Sequence, residues 1–225
     1  MLDQSQHKRV MTKILLGLVS QKALASKLGF KGGTALYLFD DLDRFSTDLD
    51  FDLIGPVGKT DIQLIDQVVR SNLRLTDHRV KRFTLFWRGS YGHGLSQIKI
   101  EVNTRDFKNE YQRRDYRGYS VLVMKPAFML AHKLCAVLDR KKLQNRDLYD
   151  VWWMLDRGFE AEERVGRERM GVSLNQYWGQ LLELVRSLPD NYDILQGLGE
   201  VMTQSKKDWT RAKLLSDLEL ELASR

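Results

Sequence analysis

One cysteine in 225 residues, Cys135, excludes an internal disulfide and a cysteine-based zinc site. A lone thiol of this kind fits a reducing cytosol and is expected as a small buried hydrophobe. The four histidines show no metal-ligand spacing. No uncharged stretch approaches the roughly 18 residues that a membrane span requires. The opening MLDQSQHKRVMTKILLGLVS has no signal-peptide cleavage pattern and reads as an amphipathic helix, so a cytoplasmic chain is expected. Prolines number three, and there are no repeats, low-complexity tracts or linkers.

What is present is ordinary in amount and uneven in place. Hydrophobic residues make up 43% and charged residues 29%, as in a globular protein with a substantial core. The net charge of +6 is carried by the first 124 residues, and residues 125–225 balance. Residues 70–117 hold 12 Lys+Arg against 5 Asp+Glu. Such a segment is either a solvated basic hairpin or a surface that holds polyanion phosphates.

The stretch from Gly32 to Asp52, GGTALYLFDDLDRFSTDLDFD, is where residue types at fixed spacing imply chemistry. Leu49, Phe51 and Leu53 alternate with Asp48, Asp50 and Asp52, the pattern of a half-buried strand with three carboxylates on one face. Aspartate is a poor strand former and like charges repel, so a cation is expected to neutralise the row. Asp48 and Asp50 begin about 6.6 Å apart at Cα and can converge on Mg²⁺, which takes one or two carboxylates plus substrate phosphates. Gly32 and Gly33 permit positive φ and close backbone approach. Thr34 is expected to cap a short helix, Ala35 to Phe39, whose first N–H groups face an anion. A plain turn and an exposed edge strand are the bland readings of the two elements taken separately. Together they read as a triphosphate cradle beside a metal site.

Apolar periodicity predicts one helix over residues 4–28 with Gly29 as C-cap, and another from Thr60 to about Leu75. Residues 79–88 and 95–103 read as strands joined by a glycine-rich loop, 89–94, and residues 119–124 as a further strand ended by Lys125-Pro126. In the second of these strands Glu101 shares a face with Gln97, Lys99 and Asn103. If that face adjoins the aspartates, Glu101 becomes a third carboxylate; otherwise it is a solvent-facing glutamate. Beyond Pro126 the pattern is helical: 126–140, 145–155, 173–187, 191–203, and a last helix near Ser205 with Ser205 and Asp208 as a capping box. Trp152, Trp153, Trp178 and Trp209 are expected to fill that helical core.

A second constellation lies in 131–150, AHKLCAVLDRKKLQNRDLYD. Lys133, Val137 and Arg140 share a helical face, and Arg146, Asp147 and Asp150 open the next helix. One reading is a salt-bridged helix pair. The other places Lys133 on nucleotide phosphates, oriented by Asp150 or Asp147, with His132 structural.

Phe30-Lys31-Gly32-Gly33-Thr34-Ala35-Leu36 and Arg44-Phe45-Ser46-Thr47-Asp48-Leu49-Asp50-Phe51 resemble the AbiEii-type nucleotidyltransferase toxins, close to the MenT group. Lys133-Leu134, Ala136, Arg140 and Arg146-Asp147-Leu148-Tyr149-Asp150 resemble the family's second signature. The resemblance spans residues 28–155. It implies an α/β fold with a polymerase-β-like nucleotidyltransferase core over 1–124 and a helical domain over 125–225. It also implies the toxin of a toxin–antitoxin or phage-defence pair, with a separately encoded antitoxin and an RNA acceptor such as a tRNA 3′ end. Carried over by position, Asp48 and Asp50 are metal ligands, with Glu101 as the third carboxylate of a two-Mg²⁺ site. Gly33 and Thr34 match the family's phosphate turn, and Lys133 and Asp150 match its second signature. With Lys31, Gly32, Arg44 and Ser46 of the first motifs they are expected to bind the NTP, and Asp48, Asp50, Glu101 and Lys133 to be the catalytic set. Transfer to a small molecule, transfer to protein side chains, and a non-catalytic nucleic-acid-binding module are the other functions open to such a chain.

Overall fold

The computed structural model describes residues 2–92 and 97–225, and the chain divides into two compact units, Met1–Met124 and Lys125–Arg225. The first unit contains helices α1 (Gln4–Val19), α2 (Gly32–Phe39) and α3 (Lys59–Arg70). Its strands are β1 (Leu28–Lys31), β2 (Leu49–Leu53), β3 (Arg74–Lys81), β4 (Thr84–Ser90), β5 (Gln97–Asn103), β6 (Tyr111–Tyr116) and β7 (Tyr119–Met124). They form one mixed sheet in the order β3-β4-β5-β2-β1-β7-β6, with β2 parallel to β5 and β1 parallel to β7.

Alternation assigns the two sheet faces. Phe30, Leu49, Phe51, Leu85, Trp87, Ile98, Ile100 and Val102 are buried on one side, together with Ile14, Leu15 and Leu18 of α1 and Ile65 and Val69 of α3. Trp87 donates its indole N–H to Asp66 of α3 at 3.0 Å, which fixes that helix over the apolar face. The opposite face is polar and carries Asp50, Glu101, Lys99 and Arg88, with Asp48 just before β2. At about 25 cal/mol per Å² of apolar surface, each fully buried large side chain contributes roughly 1.5–3 kcal/mol, so the apolar face holds the polar one in register.

The second unit is helical: α4 (Pro126–Asp139), α5 (Asn145–Asp156), α6 (Glu163–Met170), α7 (Leu174–Arg186) and α8 (Gln204–Ala223), with a short 3₁₀ turn at Gly199–Val201. Pro126 opens α4 at its first turn, and the Ser173–Gln176 pair caps α7 reciprocally. Trp152, Trp153 and Trp178 are buried, and Trp209 packs on Trp152 with ring centroids 4.3 Å apart. Cys135 is buried too.

Several boundaries differ from the periodicity. The first helix ends at Val19, and Leu28–Lys31 is a strand, because pairing of Leu28, Gly29, Phe30 and Lys31 with β2 outweighs the local helical pattern. The expected strand 79–88 is two strands that turn at Arg82-Phe83, where no glycine or proline marks the hairpin. Gly89 and Ser90 belong to β4, and residues 93–96 of the expected loop lie outside the described residues. The β6 segment YQRRDY is too polar to read as a strand and is held by its ladder to β7. Helix α6 lacks an apolar stripe; Glu162 caps its start and Gly171, in left-handed conformation, ends it. Residues 191–203 do not form the expected helix, since Asn145 takes the carbonyls of Asp193 (2.8 Å) and Gln196 (3.2 Å). The last helix is capped by Thr203 instead of Ser205.

Candidate functional site

Strand β2 is central to the first unit, and its neighbours decide what Asp50 faces. Lys31 of β1 pairs with Asp50 on one side, and Glu101 of β5 pairs with it on the other. Registered partners project to the same face, so Asp50 and Glu101 lie side by side on adjacent parallel strands, about 4.8 Å apart along the sheet. Asp48 lies just before β2 and is reached by Lys99 of β5 at 3.7 Å. Among the described residues no three His, Cys, Asp or Glu side chains converge into a metal-holding group. The donors present are hard carboxylate oxygens, and Asp48 with Asp50 matches what Mg²⁺ takes from a protein when substrate phosphates complete its shell. They fit such an ion as a site that substrate finishes, not as a closed protein cage.

The glycine turn lies directly against these acids. Gly32 has φ +81°, and a Cβ built there would stand 2.7 Å from Asp50 Oδ2. Glycine takes this conformation without strain and, lacking Cβ, leaves room for the approach. A Cβ on Gly33 would stand 2.8 Å from an Arg44 guanidinium nitrogen and 3.0 Å from Ser46 Oγ. The turn therefore gathers Asp50, Arg44 and Ser46 around two residues without side chains. Helix α2 begins at Gly32, so the N–H groups of Gly32, Gly33 and Thr34 form its first turn. Thr34 is inside the helix and is not its cap: its hydroxyl donates to the Asp48 carbonyl and lies 2.8 Å from Ser46 Oγ. That hydroxyl ties the glycine turn to the strand of aspartates. Arg44 is buried and donates to the Phe45 carbonyl at 3.1 Å.

Asp52, third in the acidic row, has a different role. It is buried, salt-bridged to Lys31, and accepts from Asn103 (2.8 Å), Asn109 (3.0 Å) and Tyr111 (2.8 Å). Burial opposes its ionisation, but Lys31 and these donors outweigh it and hold its pKa below the usual carboxylate range. The Tyr111 ring crosses β1 where Gly29 offers no side chain. Lys31, expected on the nucleotide, is thus committed to Asp52. Burial and the Asp52 charge raise the Tyr111 pKa.

One supporting residue left no sequence signal. His7 of α1 is buried, its Nε2 2.9 Å from the Thr47 carbonyl and its Nδ1 3.0 Å from Tyr91 Oη. Nε2 therefore carries the proton and donates to Thr47, while Nδ1 accepts from Tyr91. Burial lowers the His7 pKa, although the Thr47 bond and the Asp48 charge oppose the shift. His7 and Thr34 together hold the carbonyls of consecutive residues, Thr47 and Asp48. Forty residues separate His7 from Thr47, so only folding reveals the contact.

Lys133, Asp147 and Asp150 form their own cluster in the second unit. Lys133 Nζ lies 2.7 Å from Asp150 and 3.0 Å from Asp147, both carboxylates almost fully buried, and Arg140 approaches Asp147 at 3.2 Å. His132 pairs with Arg169 at 3.0 Å.

Known proteins share this fold. A candidate nucleotidyltransferase from H. pylori superposes with a TM-score of 0.59 at 19% identity, covering 100% of this chain and 98% of that one. The protein JHP933 from Helicobacter pylori gives 0.58 at 18% identity, covering 100% and 96%. At these identities the likeness is one of fold, and it is a nucleotidyltransferase fold. No sequence match was found among curated proteins. Residues 13–214 match the family described as "Nucleotidyl transferase AbiEii toxin, Type IV TA system". The chain belongs to that family, the AbiEii nucleotidyltransferase toxins of type IV toxin–antitoxin systems.

Proposed function

We propose that this chain is a divalent-metal-dependent nucleotidyltransferase that moves NMP from an NTP to an RNA acceptor, a tRNA 3′ end being the acceptor implied by the likeness to MenT toxins. A separately encoded antitoxin would restrain it in the cell. The observation that carries the reading is the Gly32 turn packed against Asp50, with Glu101 in register beside it.

Asp48 and Asp50, with Glu101 adjacent, would hold Mg²⁺, which when bound neutralises triphosphate charge and favours the ionised form of an acceptor hydroxyl. The chain's own residues do the positioning. Amides of Gly32, Gly33 and Thr34, at the positive end of α2, present donors to terminal phosphate oxygens. Arg44 and Ser46, drawn in over Gly33, add a fixed guanidinium and a hydroxyl. Thr34 and His7 fix the backbone that carries Asp48, so its carboxylate is preorganised. Lys31 supports this set indirectly by neutralising Asp52. Lys133 and Asp150 belong to the reading through the family's second signature alone.

Incubation with each labelled NTP, Mg²⁺ and total tRNA tests the proposal. Label should enter RNA with the wild type and not with Asp48→Ala. Label found on the protein itself, or on a small-molecule acceptor but not RNA, would replace the acceptor. Equal labelling by Asp48→Ala would remove the site.

A further inference from the structure

On the sheet face that carries Asp50 and Glu101, the register sets out a continuous row. Asp50 pairs with Glu101, Glu101 with Phe86 of β4, and Phe86 with Arg79 of the edge strand β3. The adjoining row is Lys99, Arg88 and Asp77. Burial agrees with this assignment: in β4, Leu85 and Trp87 are buried, while Phe86 and Arg88 are half-buried on the other side. A half-buried aromatic therefore lies one strand from Glu101, with Arg79, Arg88 and Lys99 around it.

Among the described residues these three cations meet two carboxylates at ion-pair distance, Asp77 and Asp48. Asp77 serves both Arg79 (2.7 Å) and Arg88 (3.6 Å), and Lys99 reaches Asp48 (3.7 Å). The Arg88 Nε is buried and has no hydrogen-bond partner among the described residues. The cations of these pairs are part-exposed although Asp77 and Asp48 are largely covered. Pairs open to solvent on the cation side are weak enough, about 1 kcal/mol, for phosphate oxygens to compete for the cations. An aromatic side chain on a sheet face, flanked by cations, matches unpaired nucleotides: the ring takes a base, and the cations take the backbone. A duplex presents no free base face to such a ring.

We propose that this face is the track for the unpaired 3′ end of an acceptor RNA. The terminal base stacks on Phe86, and the phosphates before it lie on Arg79, Arg88 and Lys99. The two strand spacings from Asp50 to Phe86, about 9.6 Å, leave the ribose of a stacked base on the side of the acids. The inference rests on the transferase reading and supplies its acceptor surface.

The test is fluorescence anisotropy of the full chain with a labelled, unstructured oligoribonucleotide, without NTP or divalent ion. Phe86→Leu should weaken binding about tenfold, and Phe86→Tyr should restore it. Arg79→Gln and Arg88→Gln should each weaken binding at low salt and make the salt dependence shallower by about 0.7 per lost phosphate contact. Arg113→Gln removes the same charge on β6, the opposite edge of the sheet, and should leave affinity unchanged. Wild-type affinity in Phe86→Leu and in both arginine variants would overturn the proposal, as would equal losses in Arg113→Gln or equal affinity for a duplex. Because binding is read without transfer, the two claims fail separately. Intact binding by this face with no nucleotide transfer removes the transferase reading alone; transfer to RNA with these variants unaffected removes the track alone.

Discussion

Asp50 and Asp52 stand two residues apart in one strand, and their surroundings separate their roles. Asp50 has Gly32 beneath it and Glu101 beside it, whereas Asp52 is buried under four donors. Asp50→Asn should abolish nucleotide transfer while keeping the wild-type circular dichroism and a melting temperature within a few degrees. Asp52→Ala should behave in the opposite order. It strands Lys31 and its polar neighbours, and loss of one partner of a buried pair costs about 3 kcal/mol. Denaturant midpoints would show that loss, with activity falling only as folded protein falls. Because the Asp52 pKa is depressed in the folded state, its contribution is present above about pH 3.9 and is lost as pH falls through the lower folded value. Gly32→Ala combines a left-handed φ with a clash on Asp50 Oδ2, so it should cost about 1–2 kcal/mol and displace the carboxylate.

Between elements, two ties carry specific consequences. His7 joins α1 to the segment before β2, and its folded pKa lies below 6.5. The unfolded chain therefore binds a proton that the folded chain refuses. Stability at this position is full above about pH 6.5 and declines as pH falls toward the folded pKa. In His7→Gln, urea midpoints measured downward from pH 7 should lose part of the wild-type decline. Lys133 joins α4 to α5 through two buried carboxylates. Lys133→Met removes the cation that Asp147 and Asp150 share, leaving Arg140 on Asp147, and should destabilise the chain by about 3 kcal/mol. Adding Asp147→Asn should recover part of that in thermal melts. Any activity still missing from the recovered double variant measures what Lys133 does in transfer beyond holding helices together.

For the whole molecule, ligand binding to the folded state must appear in its stability. An NTP with Mg²⁺ at about 100 times Kd should add about 2.7 kcal/mol, a rise of several degrees in melting temperature. Asp50→Asn should lose most of that rise, and a shift unchanged in the variant would place the nucleotide elsewhere. Among the described residues no helix is long and apolar enough to cross a membrane. The excess positive charge of residues 70–117 falls on β3 to β6, the connections next to them and the end of α3, so binding of a polyanion to the first unit should weaken steeply with salt.

Local pattern was enough for the elements that build the candidate site. The alternation around Asp48 and Asp50, the paired glycines and the signatures at 30–51 and 133–150 depend on neighbours a few residues away, and the family follows from them. The helices α4, α5 and α7 and strand β7 were legible for the same reason, each having a clear period or a proline boundary. Pairing between distant segments was not. That Leu28–Lys31 is a strand, that Glu101 stands beside Asp50, that Asp52 is spent on Lys31 and Tyr111, and that His7 holds Thr47 all depend on which strands and helices become neighbours. Composition and spacing encode what a side chain can do. Burial and register, set by packing across the whole sheet, decide which of several equivalent carboxylates meets a glycine turn and which is sealed beneath it.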